Sequence, residues 1–313
     1  MFFLRGIAVS LTFFVLFYCL LSALVAITWR ALQLFRASDK FLADLLFALR
    51  ILPLLASIVL TLVFVVPSFQ LLEPRSTDER MGAMPLGLGF CALVLIAVGG
   101  LRVIAAHTKT SRMVTQWLDG ASPLNADTSA STVTFRTKRE APPIMLVGVR
   151  KPRVLVSEST VALLSSDELR IALRHELAHI RSQDNLKKLL FRFCPFPGMA
   201  QLESAWSRST ELAADGASVT KLHDAVDLAA ALVKLSRLVS VDAAPFCTVG
   251  FVTGSIGERV ARLLAWNERE SQSVRVRPYA IAAVLITITL LCAFSTYGPA
   301  LRLTHAATEW LVR

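Results

Sequence analysis

The chain has 313 residues, a length that accommodates one or two domains, and 54% of them are hydrophobic. Its mean hydropathy of +0.57 lies well above that of ordinary soluble proteins, so membrane-spanning helices are expected. The five cysteines show no C-x-x-C pairing, which argues against both a disulfide scaffold and a cysteine zinc site. The formal net charge is +10, and its distribution along the chain decides whether it indicates nucleic acid or a membrane.

Four apolar runs are each long enough to cross about 30 Å of hydrocarbon. They cover residues 7–29, 51–69, 85–104 and 278–297. The first run follows Arg5 as a signal peptide would, but it is longer than a normal signal-peptide core and lacks a clear A-x-A cleavage site. We therefore predict a retained helix. In the second run we place Pro53 in the first helical turn, where proline is tolerated.

The short loops differ in their basic residues, which favour the cytosolic side of a membrane. Residues 30–50 carry four lysines and arginines, whereas residues 70–84 carry two arginines offset by three acidic residues. Basic residues also follow the third run and precede the fourth. We therefore expect both termini and the second loop outside, and the first loop and residues 102–277 in the cytosol.

Most of the positive charge belongs to the predicted cytosolic segment. Residues 102–277 contain 24 of the 33 lysines and arginines against 17 of the 23 acidic residues, a net charge of +7. Cytosolic topology and the anionic headgroups of the lipid bilayer account for this charge. Direct binding of nucleic acid is therefore not expected.

The cytosolic segment contains strand and helix signals in succession. Residues 119–143, rich in Ser, Thr, Ala and Asp, predict a loose connection. Ile144–Val149 and Arg153–Ser157 are β-prone runs that predict a hairpin or paired edge strands. Ser165 and Glu168 have the spacing of a capping box and predict the start of a helix. Further helices are predicted around residues 204–219, around residues 224–239, and from Ser255 onward.

The predicted helix that follows Ser165 carries the pentapeptide His175-Glu-Leu-Ala-His179. Positions i and i+4 project from one helical face, so both imidazoles can reach a single ion. Catalytic zinc takes three protein ligands and leaves a fourth position to water, and Glu176 would act beside that water as the general base. The alternative is the polar face of a surface helix with two coincidental histidines. The capped amphipathic context favours the metal site.

A third ligand is required, and Glu211 is the best candidate, 32 residues after His179. Asp215 lies four positions further on the same helical face, where its carboxylate can accept the ring N–H of a ligand histidine and fix the tautomer. Taken alone, the pair also suits a solvated acidic face, but we favour the metal site beside H-E-x-x-H. His223 is a weaker candidate for stabilising an oxyanion, and a surface role is favoured for it.

The predicted strands suggest a way to hold a substrate. An extended peptide can add to an exposed strand edge through main-chain hydrogen bonds. We take Ile144–Val147 or Val154–Val156 as the candidate edge.

Four stretches in this order resemble the peptidase domain of the BlaR/MecR-type regulatory membrane zinc metallopeptidases, the antirepressor peptidases. They are "GVRKPRVLVSESTVALLSSDELRIALRHELAHIRSQDN", "FCPFPG", "ELAADGASV" and "IGERVARLL", and the resemblance covers about residues 143–266. It implies a mainly α membrane protein with a cytosolic α+β zincin-like (gluzincin) domain between the third and fourth of four transmembrane helices. The implied division is three spans in residues 1–105, the peptidase domain in 106–277, and the fourth span with a short external tail in 278–313.

The resemblance also implies the chemistry. In that family the two histidines and the later glutamate bind one Zn²⁺ per chain, here His175, His179 and Glu211, and the glutamate after the first histidine, here Glu176, is catalytic. Such proteins lie in the bacterial cytoplasmic membrane and cleave or inactivate cytosolic repressors after an external signal. The best-known members carry a penicillin-binding sensor domain after the last span, whereas about 16 residues follow Tyr297 here. A signal is therefore expected through the spans, the outside loop or a separate sensor partner.

Two other functions remain open. A quality-control or processing peptidase of the HtpX or prenyl-protein type shares H-E-x-x-H and a later E-x-x-x-D, but such proteins place further spans soon after the zinc helix. Residues 186–199 are too short and too punctuated to be such a span. A non-catalytic membrane transducer with a vestigial site is the third possibility, and the complete ligand set with Glu176 argues against it.

Overall fold

The computed structural model describes residues 2–30, 38–73, 82–124, 134–137, 142–149, 151–238, 249–250, 256–267 and 297–310. Helices predominate in these residues, and one small sheet accompanies them. The chain divides into two compact units. The first comprises Met1–Trp29, Ile51–Val98 and Val274–Arg313, and the second Arg30–Arg50 and Gly99–Ser273.

Three helical stretches are long and apolar enough to cross a membrane among the described residues. They are α1 (Phe2–Thr28), the stretch Asp39–Leu72, and α4 (Ala83–Leu118). The middle stretch consists of α2 (Asp39–Leu60), a π-helical turn (Thr61–Val65) and α3 (Val66–Leu72). Each corresponds to one of the first three predicted spans, although α1 ends one residue before the predicted end at Trp29. Residues 278–296 of the fourth predicted span lie outside the described residues, and residues 297–310 are helical.

The second membrane helix starts earlier than its apolar run. It begins at Asp39, so Pro53 lies inside α2, and our prediction that it occupies the first turn was wrong. The preceding residues 39–50 are rich in alanine and leucine, which are strong helix formers, and Asp39 suits the positive N-terminal end of the helix dipole. Hydropathy alone missed them because charged residues interrupt the run.

The first unit packs aromatic and branched side chains between its helices. Val9 and Phe13 of α1 form a buried cluster with Val65 and Phe69. The Thr12 hydroxyl also donates a hydrogen bond to a backbone carbonyl at the start of α4, at 2.8 Å. Such a bond satisfies a buried polar group and contributes to packing among the membrane helices.

The second unit contains a five-stranded sheet in the order β1-β2-β4-β3-β5. Its strands are β1 (Ser122–Pro123), β2 (Thr134–Thr137), β3 (Ile144–Val147), β4 (Arg153–Ser157) and β5 (Val249–Gly250). The antiparallel pairing of β3 with β4 confirms the predicted strand pair. Strand β2 lies parallel to β4, within the stretch that we predicted as a loose connection.

The sheet order corrects the proposed substrate edge. Strand β4 lies between β2 and β3, so Val154–Val156 is not an edge. Strand β3 pairs on its other side with β5 through Met145 and Leu146. Its main-chain groups at these two positions already have a partner strand, so the hypothesis of a free edge at Ile144–Val147 was wrong as well.

Six described helices complete the second unit: α5 (Glu158–Leu163), α6 (Ser166–Ser182), α7 (Asp184–Phe193), α8 (Ala200–Ser218), α9 (Leu222–Ser236) and α10 (Ile256–Leu264). The core joins one face of the sheet to α6, α9 and α10 through Ile144, Val156, Ile171, Leu232 and Leu263, all buried. The predicted capping box is confirmed: Glu168 N–H donates to the Ser165 hydroxyl, and Ser165 N–H donates to the Glu168 carboxylate. The Ser255 cap predicted for α10 lies outside the described residues.

Candidate metal centre

Helices α6 and α8 bring three ligand-type side chains together inside the second unit. His175 and His179 lie on one face of α6, fully buried, with their Nε2 atoms 3.1 Å apart. From α8, Glu211 places Oε2 3.5 Å from His175 Nε2 and Oε1 3.8 Å from His179 Nε2. The structure therefore assembles the two predicted histidines and the predicted glutamate into one cluster.

The separations within this cluster suit a divalent cation. Zinc–nitrogen bonds of about 2.0–2.1 Å at a tetrahedral angle place two ligand atoms about 3.3 Å apart. The observed range of 3.1–3.8 Å brackets this value. Two imidazole nitrogens that face each other at 3.1 Å also repel unless a proton or a metal ion lies between their lone pairs. The residues present thus fit a metal held by two nitrogens and a carboxylate.

Each histidine contacts a carboxylate through its other ring nitrogen. His175 Nδ1 lies 3.0 Å from Asp215 Oδ1, and His179 Nδ1 lies 2.7 Å from Asp184 Oδ2. A carboxylate at Nδ1 favours the tautomer that keeps the proton there and leaves the Nε2 lone pair for a metal. Asp215 occupies the place that its spacing predicted, whereas Asp184 was missed.

The chain reaches Asp184 through a turn that helical periodicity does not describe. Gln183 ends α6 with a left-handed conformation, at a φ of 55°. This turn starts α7 at once and directs the Asp184 side chain back to the end of α6. The sequence offered only one signal, an acidic residue five positions after His179.

Glu176 is buried beside the ligand cluster. Its side chain has no exposed surface, and neither carboxylate oxygen has a hydrogen-bond partner among the described residues. Burial raises the pKa of Glu176. A buried carboxylate without hydrogen bonds is costly, so this position suits a group that gains partners when a metal and water enter.

Arg259 of α10 enters the same cluster. Its Nη1 lies 2.9 Å from Glu211 Oε2, and its Nε and Nη2 each lie 2.7 Å from an Asp215 oxygen. The side chain is almost completely buried. The stretch "IGERVARLL" contributed to the resemblance, but Arg259 was assigned no role, since no local pattern in the sequence links it to α8.

The charges in the cluster shift one another's protonation. Burial disfavours the imidazolium form of His175, but the carboxylates of Asp215 and Glu211 outweigh it and raise the pKa of His175 to about 9. Burial also disfavours ionised Asp215, yet hydrogen bonds with His175 and Arg259 hold the pKa of Asp215 at about 2. The carboxylates thus favour the charged form of His175, and a metal ion at its Nε2 atom would compete with that proton.

His223 lies outside this cluster. Its side chain is 60% exposed, and its Nε2 is 3.4 Å from the Asp224 carboxylate. This exposure agrees with the surface role that we favoured and gives no support to an oxyanion role.

Comparison with known protein families shows which family the sequence belongs to. The model of the family described as BlaR1 peptidase M56 matches residues 89–263, more than half of the chain. No curated protein sequence matches the chain. The matched segment includes the three clustered residues, Glu176 and Arg259, and it begins within α4. The chain belongs to the BlaR1 peptidase M56 family of membrane-associated metallopeptidases.

Proposed function

We propose that the chain is a membrane-embedded zinc endopeptidase that cleaves a cytosolic protein, such as a transcriptional repressor. The observation that carries the proposal is the convergence of His175, His179 and Glu211 around one point, with a carboxylate behind each histidine. Family membership supports a metallopeptidase, and three apolar helices support a membrane location. Zinc is the divalent ion that best suits two imidazoles and one carboxylate with an open position.

The proposed roles follow from the positions of the side chains. His175, His179 and Glu211 hold the ion, while Asp215 and Asp184 orient the two rings. A bound zinc ion supplies Lewis-acid chemistry, which lowers the pKa of water in the site toward about 7.

Glu176 is the proposed general base. It takes the proton of the attacking water and passes it to the amine nitrogen that leaves as the peptide bond breaks.

The substrate class rests on the predicted topology. The basic loop residues favour a cytosolic position for residues 102–277, which include every proposed site residue. A cytosolic protein or peptide is therefore the expected substrate, the bacterial cytoplasmic membrane is the proposed location, and a separate sensor protein is a proposed partner.

Metal content tests the site directly. We would measure zinc in the detergent-purified protein and in His175→Ala, Glu211→Ala and Glu176→Gln. The expectation is about one zinc per chain in the wild type and in Glu176→Gln, and loss of zinc in the two ligand variants. Zinc retained in Glu211→Ala would exclude that residue as the third ligand. No zinc in the wild type, even with excess metal, would favour the non-catalytic transducer.

Proteolysis is tested by comparing protein N-termini in cells that express the wild type or Glu176→Gln. The proposal predicts one or two cytosolic substrates whose cleavage falls at least about 10²-fold in Glu176→Gln, because a general base contributes that much. Cleavage of many membrane proteins would instead support a quality-control peptidase. Equal cleavage in both samples would overturn the enzymatic assignment.

A further inference from the structure

Helix α10 contributes a buried cation to a site otherwise built from α6, α7 and α8. The Arg259 side chain is almost fully buried, at 2% exposure, and contacts both Glu211 and Asp215 at 2.7–2.9 Å. A buried guanidinium is costly to desolvate unless carboxylates pair with it in good geometry. Here three of its nitrogens each face a carboxylate oxygen, so the contacts define one orientation for all three side chains.

We infer that Arg259 is a positioning residue of the metal centre, because its planar guanidinium fixes Glu211 and Asp215 relative to each other. The inference rests on the proposed function, in which Glu211 is a metal ligand and Asp215 orients His175. Arg259 thus sets the direction of the ligand Glu211 directly. Through Asp215 it supports the tautomer of the ligand His175.

A positive charge without the planar shape of the guanidinium would not fix Glu211 and Asp215 relative to each other. Arginine presents several N–H donors in a fixed plane, whereas lysine offers one ammonium nitrogen on a flexible chain. One ammonium cannot occupy the positions of Nε, Nη1 and Nη2 together. Replacement by lysine therefore keeps the charge of the site and removes the shared geometry.

The position of Arg259 depends on how α10 packs. Leu263, one turn later, is buried in the core with α9, and Val260 packs against the same core. Arg262 forms two hydrogen bonds, at 3.1 and 2.7 Å, with Asp39, the first residue of α2. A displacement of α10 would therefore move Arg259 away from Glu211, so docking of this helix completes the metal centre.

The test measures zinc affinity of the full-length protein by competition with a chelator, and the absorption spectrum after cobalt substitution. We expect Arg259→Lys to bind zinc about tenfold more weakly, at the lower end of the loss when a group supporting a metal ligand is changed, and to shift the cobalt spectrum. A role in folding alone would not move that spectrum. The matched control is Arg136→Lys, which changes an exposed pair with Glu158 that does not involve α10 and should leave both readings unchanged.

Two further variants test the docking of α10 without changing charge. Val260→Ala loosens the packed face of the helix and should weaken zinc binding two- to threefold, whereas Leu264→Ala, at an exposed position, should not. If Arg259→Lys does not fold, this pair decides the inference.

The inference that Arg259 positions the metal ligands would be overturned if Arg259→Lys had the zinc affinity and cobalt spectrum of the wild type. Equal zinc affinities in Val260→Ala and Leu264→Ala would also overturn it. Absence of zinc in the wild type would instead contradict the proposed function.

Discussion

The contact between His179 Nδ1 and Asp184 is the shortest histidine–carboxylate contact in the described site. Asp184 Oδ2 lies 2.7 Å from His179 Nδ1, and both side chains are buried. An asparagine there is isosteric, but it accepts the ring proton with a neutral oxygen and can also present its NH₂ group. The second orientation would favour the tautomer that protonates Nε2 and blocks the metal. We expect Asp184→Asn to weaken zinc binding by about 10- to 100-fold, measured by chelator competition.

Asp167→Asn is the control for this prediction, because Asp167 lies on α6 in an exposed ion pair. It should bind zinc as the wild type does. Equal affinities in the two variants would mean that Asp184 does not tune His179.

Some residues of the site could be predicted from the sequence and others could not. His175 and His179 are four residues apart on one helix, as are Glu211 and Asp215, so helical periodicity places each pair on one face. Asp184 follows a left-handed turn, and Arg259 comes from a helix 44 residues beyond Asp215. Contacts set by a turn or by tertiary packing leave no periodic signal in a single sequence.

Among the helices, α6 has a start that is sensitive to pH. The Glu168 carboxylate accepts hydrogen bonds from Ser165 N–H at 2.8 Å and from Lys234 Nζ at 2.7 Å. Burial opposes ionisation, but these contacts lower the pKa of Glu168 below its ordinary value of 4.5. A lowered pKa stabilises the fold above the ordinary value, and this stabilisation is lost as the pH falls through the folded value.

Glu168→Gln should therefore lower the free energy of unfolding near neutral pH by about 1 kcal/mol, through a weakened cap and a lost charge-assisted bond. The deficit relative to the wild type should shrink as the pH is lowered below 4.5. Thermal unfolding of both proteins in detergent across this range measures it. Glu158→Gln, in an exposed pair, is the control and should show little change at any pH. A deficit for Glu168→Gln that does not vary with pH would contradict the assignment.

Two adjacent glycines of α4 provide a matched test of close packing. A Cβ atom at Gly99 would collide with the backbone carbonyl oxygen of Phe193 at the end of α7, whereas one at Gly100 would meet nothing within 4 Å. Overpacking typically costs about 1–3 kcal/mol, and alanine otherwise favours a helix over glycine. Gly99→Ala should therefore lower the thermal unfolding midpoint, and Gly100→Ala should maintain or raise it. Equal midpoints would show that α4 and α7 do not approach so closely.

The predicted bounds of helices and strands agreed with the structure where the local sequence signals were strong. The capping box located the start of α6, and two β-prone runs located β3 and β4. The start of α2 was misplaced because charged residues hide helix-forming residues from a hydropathy criterion. Strand β2 was missed because it has only four residues, Thr134–Thr137, and lies in a stretch whose many Ser, Thr, Ala and Asp residues predict a loop.

At the scale of the whole molecule, the proposed chemistry depends on which side of the membrane holds the site. The second unit contains the candidate metal centre. It also contains the part of α4 from Gly99 onward, and α4 is one of the three stretches that can span a bilayer. Hydropathy identifies such stretches but gives no direction, so the orientation comes from charge alone. Four basic residues in residues 30–50 favour a cytosolic first loop, and the acidic second loop favours the outside.

Alkaline phosphatase, which folds only outside the cytosol, can report this orientation when fused after successive helices. A fusion after Glu79, in the second predicted loop, should be active, and one after Asp119, just beyond α4, should be inactive. The physical reason is that translocating the basic residues of the first loop or those after the third span is disfavoured. Fusions to a protein that fluoresces only in the cytosol should give the opposite pattern. If both reporters reversed, the metal centre would face outward, and a cytosolic repressor could not be the substrate even if zinc binding and Glu176 behaved as proposed.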